Sequence, residues 1–207
     1  MNTLFATLIF LILVNNILLL AAFRLPSLIR LIAFQGICLA ALLFCEQHLL
    51  LACAVLLIKG LLLPGLLLRT IKRLPINTDL RPRLHQGLGI VAGMTGLIFA
   101  LWLETRLAIQ PGLFPPLLLP AGLTTLFCGL ILVVGRSTAL AQVMGYLVAE
   151  NGIFVLGIPL MSANTVWFEL ALLLDIFVAV FVMGIAINHI VETFESIDVD
   201  GFRSLRD

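Results

Sequence analysis

The sequence predicts an all-α fold, a polytopic bundle of about seven transmembrane helices with its N-terminus outside and its C-terminus cytoplasmic. Three observations predict it. Of 207 residues, 62% are hydrophobic and only 11% carry Asp, Glu, Lys or Arg, against about 25% charged residues in an ordinary soluble domain. Mean hydropathy is +1.20. The apolar residues also fall into stretches of the length that an α-helix needs to cross a hydrocarbon core, about 20 residues at about 1.5 Å each. This composition excludes a disordered chain, a soluble disulfide-stapled fold and a nucleic-acid-binding arm. A net charge of +1 generates no global field to steer acidic partners.

The stretches run Thr3–Phe23, Ser27–Cys45, Leu49–Leu68, Leu84–Leu103, Leu113–Gly135, Ala139–Leu160 and Val166–Ile190. Polar or turn-forming residues punctuate them: Arg24-Leu25-Pro26, Glu46-Gln47-His48, the basic segment from Arg69 to Arg83, and Gln110-Pro111-Gly112. Orientation follows from the basic residues. Arg24 and Arg30, then Arg69, Lys72, Arg73, Arg81 and Arg83, then Arg136, and finally Arg203 and Arg206 all fall on one side of an alternating bundle. Arg106 stands alone on the other side. The first span has no basic segment before it, which fits an N-out anchor rather than a cleaved signal.

The chain divides as one membrane domain. Residues 1–83 form a three-helix unit with a basic loop, 84–112 a connector helix, and 113–207 a second three-helix unit with a polar tail. The two units run in the same direction, and their polar residues correspond in order, Gln35 with Glu150 and Lys59 with Asp175. Similar segments follow each unit, Leu74-Pro75-Ile76-Asn77-Thr78-Asp79 and Glu195-Ser196-Ile197-Asp198-Val199-Asp200. A parallel duplication of the kind found in transporters would produce this pattern.

The cysteines Cys38, Cys45, Cys53 and Cys128 lie in or beside spans without metal-ligand spacing, and read as small packing residues. His48 and His85 sit at span edges, and His189 near the end of the last span. Nucleotide-binding, serine-hydrolase and zinc-protease motifs are absent from the sequence, so no cofactor or metal site is expected. The ionisable residues inside spans carry the functional interest: Lys59, Glu150, Glu169 and Asp175. Glu169 is close enough to the start of its span to reach headgroups. The other three lie near mid-membrane, where each costs about 2.5–3.5 kcal/mol on insertion scales. Such residues persist when they face protein or water and have a partner or a task. Lys59 is therefore expected to face one or both carboxylates, either as a packing pair or as part of a proton-exchanging site. Supporting polar groups sit at similar depth: Gln142, Tyr146 and Glu150 at i, i+4 and i+8, with Asn151 beside them, Asn15 and Asn16 in the first span, and Gln35 in the second. They would either hydrogen-bond across helices or hold water in a proton wire.

The stretch Gln142-Val143-Met144-Gly145-Tyr146-Leu147-Val148-Ala149-Glu150-Asn151-Gly152 resembles the Q-x-x-G-Y-x-x-x-E-N-G signature of the hydrogenase-4 component E family, membrane proteins of formate hydrogenlyase-type complexes. The resemblance continues through Glu169, five apolar residues and Asp175, through Ile197-Asp198-Val199, and through Ile58-Lys59-Gly60 with Pro64, which fits x-K-x-x-L-x-P. The last three spans are also similar to the K subunit of respiratory complex I and the C subunit of multisubunit sodium/proton antiporters. Glu150 matches the first of the two membrane-embedded glutamates of the K subunit, and Asp175, at a shorter spacing, is the nearest counterpart of the second. The resemblance implies a cofactor-free subunit of a bacterial inner membrane complex. Its partners would be antiporter-like membrane subunits and a hydrogenase-like or quinone-reductase-like peripheral arm. A purely structural scaffold, or a stand-alone transporter of a small solute, are the alternatives.

Overall fold

The computed structural model describes residues 3–73, 86–107 and 115–160 apart from Ser137, together with Leu174, Phe177, Val178, Val180 and Gly184. All regular structure among them is helical: α1 (Thr3–Ala21), α2 (Leu25–Cys45), α3 (Leu49–Val55), a π-helical segment (Leu56–Leu62), α4 (Leu63–Arg73), α5 (Gln86–Arg106), α6 (Leu118–Gly135) and α7 (Ala139–Gly157), closed by a 3₁₀ turn (Ile158–Leu160). With α3, the π segment and α4 counted as one continuous rod, six helices are long and apolar enough to cross a membrane. The chain is a multi-pass membrane protein. The seventh predicted span, Val166–Ile190, lies outside the described residues except for isolated positions, and so do Glu169 and Asp175.

Local chemistry sets the boundaries. α2 starts behind an extended Arg24, with Pro26 at its second position, where a missing N–H costs no helical hydrogen bond. It ends in a Schellman motif: His48 N–H donates to Leu43 O at 3.1 Å and Gln47 N–H to Phe44 O at 3.1 Å. Gln47 takes the left-handed position (φ 65°) that glycine usually fills there. α6 begins at Leu118, five residues later than the apolar run suggests, because Pro115 and Pro116 precede it and Leu117 adopts φ 67°.

The third span departs from regular α geometry. Pro64 lacks an N–H, and its ring crowds the carbonyl four residues back, at Gly60. The turns just before it open into the π segment, with Lys59 at its centre. Insertion of π turns is one of the few identifiable ways a helix absorbs such a conflict.

The helices pack around α2 and α7. In the apolar window of α7, 67% of residues are buried, against 11% in α5. α7 is thus central, while α5 lies at the periphery against α6 and α1. α6 and α7 approach so closely that their glycines have no room for a side chain. A Cβ on Gly129 would strike the Ala149 backbone, one on Gly145 would lie 2.7 Å from Val133 N, and one on Gly152 would meet Gly122 O at 2.8 Å. Small residues let helix backbones approach where lipid offers no hydrophobic drive for association. Packing also joins corresponding helices of the two proposed units, α1 with α6 and α2 with α7.

Candidate functional site

Lys59 and Glu150 form an ion pair at the centre of the bundle. Lys59 Nζ lies 3.2 Å from Glu150 Oε1, and the two side chains are 3% and 5% exposed. The ammonium also stands 5.6 Å from the centroid of the Phe154 ring, on the α7 face one turn beyond Glu150, where the negative face of the ring favours a cation. Two features aim Lys59 inward. The π segment changes the helical phase around it. Gly36 of α2 also lets its backbone come close, since a Cβ there would lie 2.7 Å from Lys59 O. Separating two charges from water costs several kcal/mol per ion, so each holds its place only through the other and its remaining contacts.

Beside the pair runs a chain of amides and a hydroxyl through four helices. Asn151 Nδ2 donates to Gln35 Oε1 at 3.2 Å, and Gln35 Nε2 to Asn16 Oδ1 at 3.0 Å. Asn16 Nδ2 then donates to Thr125 Oγ1 at 2.8 Å, whose hydroxyl donates to Ala121 O at 2.7 Å. Every member is buried. The chain thus crosses from α7 through α2 and α1 to α6, ending on a helix carbonyl that can only accept. Asn15 stands apart, donating to Leu31 O at 3.1 Å.

The expected constellation is therefore partly assembled. Lys59 meets Glu150, and Asn16, Gln35 and Asn151 bond directly to one another. The i, i+4, i+8 row on α7 does not form one interior stripe. Gln142 Nε2 donates to Arg136 O at 3.2 Å, at the helix start, and Tyr146 is 38% exposed. Eight residues advance a helix by about 80° beyond two full turns, so Gln142 and Glu150 diverge. Gln35 bonds Asn151 rather than its expected counterpart Glu150. A shift of one residue aligns Leu31-Ile32-Ala33-Phe34-Gln35-Gly36-Ile37 with Leu147-Val148-Ala149-Glu150-Asn151-Gly152-Ile153.

Sequence reasoning missed Thr125, Phe154, Gly36 and the π segment. A threonine or phenylalanine in an apolar helix carries no distinguishing signal, whereas Pro64 four residues after Gly60 was a readable sign of a disturbed helix. Arg136, expected in a loop, is buried to 5% exposure, with its Nη2 donating to Ala22 O at 2.9 Å. Among the described residues, no group of His, Cys, Asp and Glu is placed to hold a metal ion. The arrangement offers a carboxylate whose proton affinity is set by a neighbouring ammonium, held in a rigid polar frame.

No family model matches the chain, and no solved structure matches it. Among curated proteins it is similar to the uncharacterized protein Rv0085 of Mycobacterium tuberculosis, at 30% identity over 193 residues, covering 88% of this chain and 87% of the relative. Similarity of that extent runs through the bundle and not through one motif, and the chain belongs to the same family as Rv0085.

Proposed function

We propose that this protein is a membrane-arm subunit of a bacterial redox-linked complex of the hydrogenase-4 or complex I type, in which Glu150 exchanges ions or protons under control of Lys59. The observation that carries the reading is the buried Lys59–Glu150 pair, seated on a π segment at mid-bundle. A lysine beside a carboxylate favours the ionised acid. Moving the ammonium away leaves the acid in a low-dielectric site, where it takes up a proton. π turns are common at functional sites and change a side chain's direction with little change in helix length, so the segment around Lys59 suits such a displacement. The Q-x-x-G-Y-x-x-x-E-N-G stretch supplies the hydrogenase-4 assignment. In this reading the complex sits in the cytoplasmic membrane, the subunit carries no redox cofactor, and its neighbours are antiporter-like subunits and a hydrogenase-like or quinone-reductase-like arm. Asp175, in the seventh span, would extend the chain of protonatable residues.

The test has two parts. Gentle purification from the native membrane identifies the partner chains; metal-centre subunits beside antiporter-like ones are expected. Glu150→Gln is then introduced into the assembled complex. The expected result is an intact complex on a native gel with electron transfer retained and proton movement reduced at least tenfold. Undiminished proton movement refutes the role of Glu150. A complex that fails to assemble, but regains normal pumping when a second-site change restores assembly of Glu150→Gln, supports the scaffold reading instead. The satisfied amide chain favours that scaffold role for Asn16, Gln35 and Asn151 themselves, whose groups are occupied in holding four helices together.

A further inference from the structure

At the end of the bundle where α1 turns into α2, an open groove of about 550 Å³ is lined by Leu18, Phe23, Arg24, Ser27, Arg30 and Leu31 among others. Arg24, Ser27 and Arg30 are all exposed, and their i, i+3, i+6 spacing places them on one side of α2. The first turn of α2 receives no side-chain cap, so its backbone N–H dipoles add to the positive field there. Beneath them lies Arg136. Its Nη2 donates to Ala22 O, a residue of the same groove, while its Nη1 is buried with no hydrogen-bond partner among the described residues. Burial lowers the pKa of this guanidinium, the direction that a nearby anion would oppose. Among the described residues the acids are Glu46, Glu104 and Glu150. Glu46 follows the far end of α2, Glu104 lies beside Leu117 at that same far end, and Glu150 is paired with Lys59. Three arginines thus share one end with no described carboxylate to balance them.

We propose that this groove seats the headgroup phosphate of an acidic phospholipid, with Arg24 and Arg30 on the phosphate and Arg136 supplying charge from below. The depth of the groove favours a lipid. Arg30 is five residues inside α2, about 7–8 Å below its start, where an arginine reaches up towards the headgroup level and lays its stem along apolar surface. Leu18, Phe23 and Leu31 flank it as a wall for acyl chains, and Phe23 is 59% exposed. A soluble anion would have no use for that wall. Basic pockets between transmembrane helices are a recognised way of holding anionic headgroups. The inference does not depend on the proposed ion-translocating role.

Native mass spectrometry of the full chain, released from detergent after equilibration with phosphatidylglycerol or phosphatidylcholine, tests it. The unmodified chain should retain phosphatidylglycerol at least fivefold over phosphatidylcholine. The double variant Arg24→Gln, Arg30→Gln should lose that preference, and Arg106→Gln at the opposite end should keep it. A thermal-shift measurement adds a second readout: phosphatidylglycerol should raise the melting temperature of the unmodified chain and not that of the double variant. Equal retention of the two lipids overturns the proposal, as does a preference that survives the double substitution. Equal stabilisation by inorganic phosphate overturns the assignment to a lipid.

Discussion

Lys59 and Glu150 were legible because charge is scarce. In a chain with 11% charged residues, an ionisable group in the middle of an apolar run has no inexpensive reason to be there. Their mutual approach followed from that cost, and the 3.2 Å contact satisfies it. The ring of Phe154 beneath the ammonium was invisible, since phenylalanine is unremarkable in any membrane helix. A buried pair has a distinctive energetic signature: removal of one partner strands the other charge and costs about 3–5 kcal/mol, whereas replacement of both by apolar groups of similar size is often near neutral. Lys59→Met alone and Glu150→Leu alone should therefore each lower stability by about 3 kcal/mol or more. The double variant should be at least as stable as either single one. Denaturant titration of the three purified variants in detergent checks this, and additive losses would show that the two side chains do not depend on each other. The double variant would fold yet be silent in proton movement, so the same set separates stability from function.

At the scale of elements, the helix boundaries were largely readable, since lipid-length apolar runs broken by Pro, Arg and Gly leave few alternatives. The starts of α5 and α6 and the π segment were not. α6 starts late because Pro115 and Pro116 prevent continuation toward Leu113, and the π turn is a response of the helix to Pro64 rather than a preference of Leu56–Leu62 themselves. The glycines separate packing from backbone freedom. Gly36 and Gly152 face partner backbones at distances that a methyl would violate, while Gly65 in α4 has nothing within 4 Å of a built Cβ. Gly65→Ala should stabilise by about 0.5–1 kcal/mol, because alanine is the better helix former. Gly36→Ala and Gly152→Ala should destabilise by about 1–3 kcal/mol through overpacking. The three melting curves in one detergent provide the comparison. A Gly36→Ala variant as stable as Gly65→Ala would mean that α2 does not hold the Lys59 backbone as closely as described.

For the molecule as a whole, the sequence showed which polar residues lie at similar depth but not which of them touch. Helical periodicity gives each side chain a direction relative to its own helix, and the choice of neighbour depends on packing between helices distant in the chain. Gln35 bonds Asn16, 19 residues away, and Asn151, 116 residues away, and Asn16 bonds Thr125, 109 residues away. These contacts exist only when α1, α2, α6 and α7 are all in place, so the amide chain acts as a single closing device for the bundle. Gln35 is its middle member. Gln35→Leu leaves Asn16 Oδ1 and the Asn151 amide buried without that partner and should cost about 1–3 kcal/mol, given the modest worth of interhelical hydrogen bonds in membranes. Thr125→Val removes the other anchor of Asn16. If the chain is one unit, the two substitutions should be non-additive, because after the first the Asn16 side chain can turn to satisfy itself locally and the second then removes less. A coupling of at least about 0.5 kcal/mol in a double-mutant cycle is expected. Asn15→Leu, whose side chain bonds a helix carbonyl outside the chain, should add independently to Gln35→Leu. Strict additivity between Gln35 and Thr125 would reduce the device to separate contacts, and the common frame that holds the Lys59–Glu150 pair at mid-membrane would have to be sought in the α6–α7 glycine packing alone.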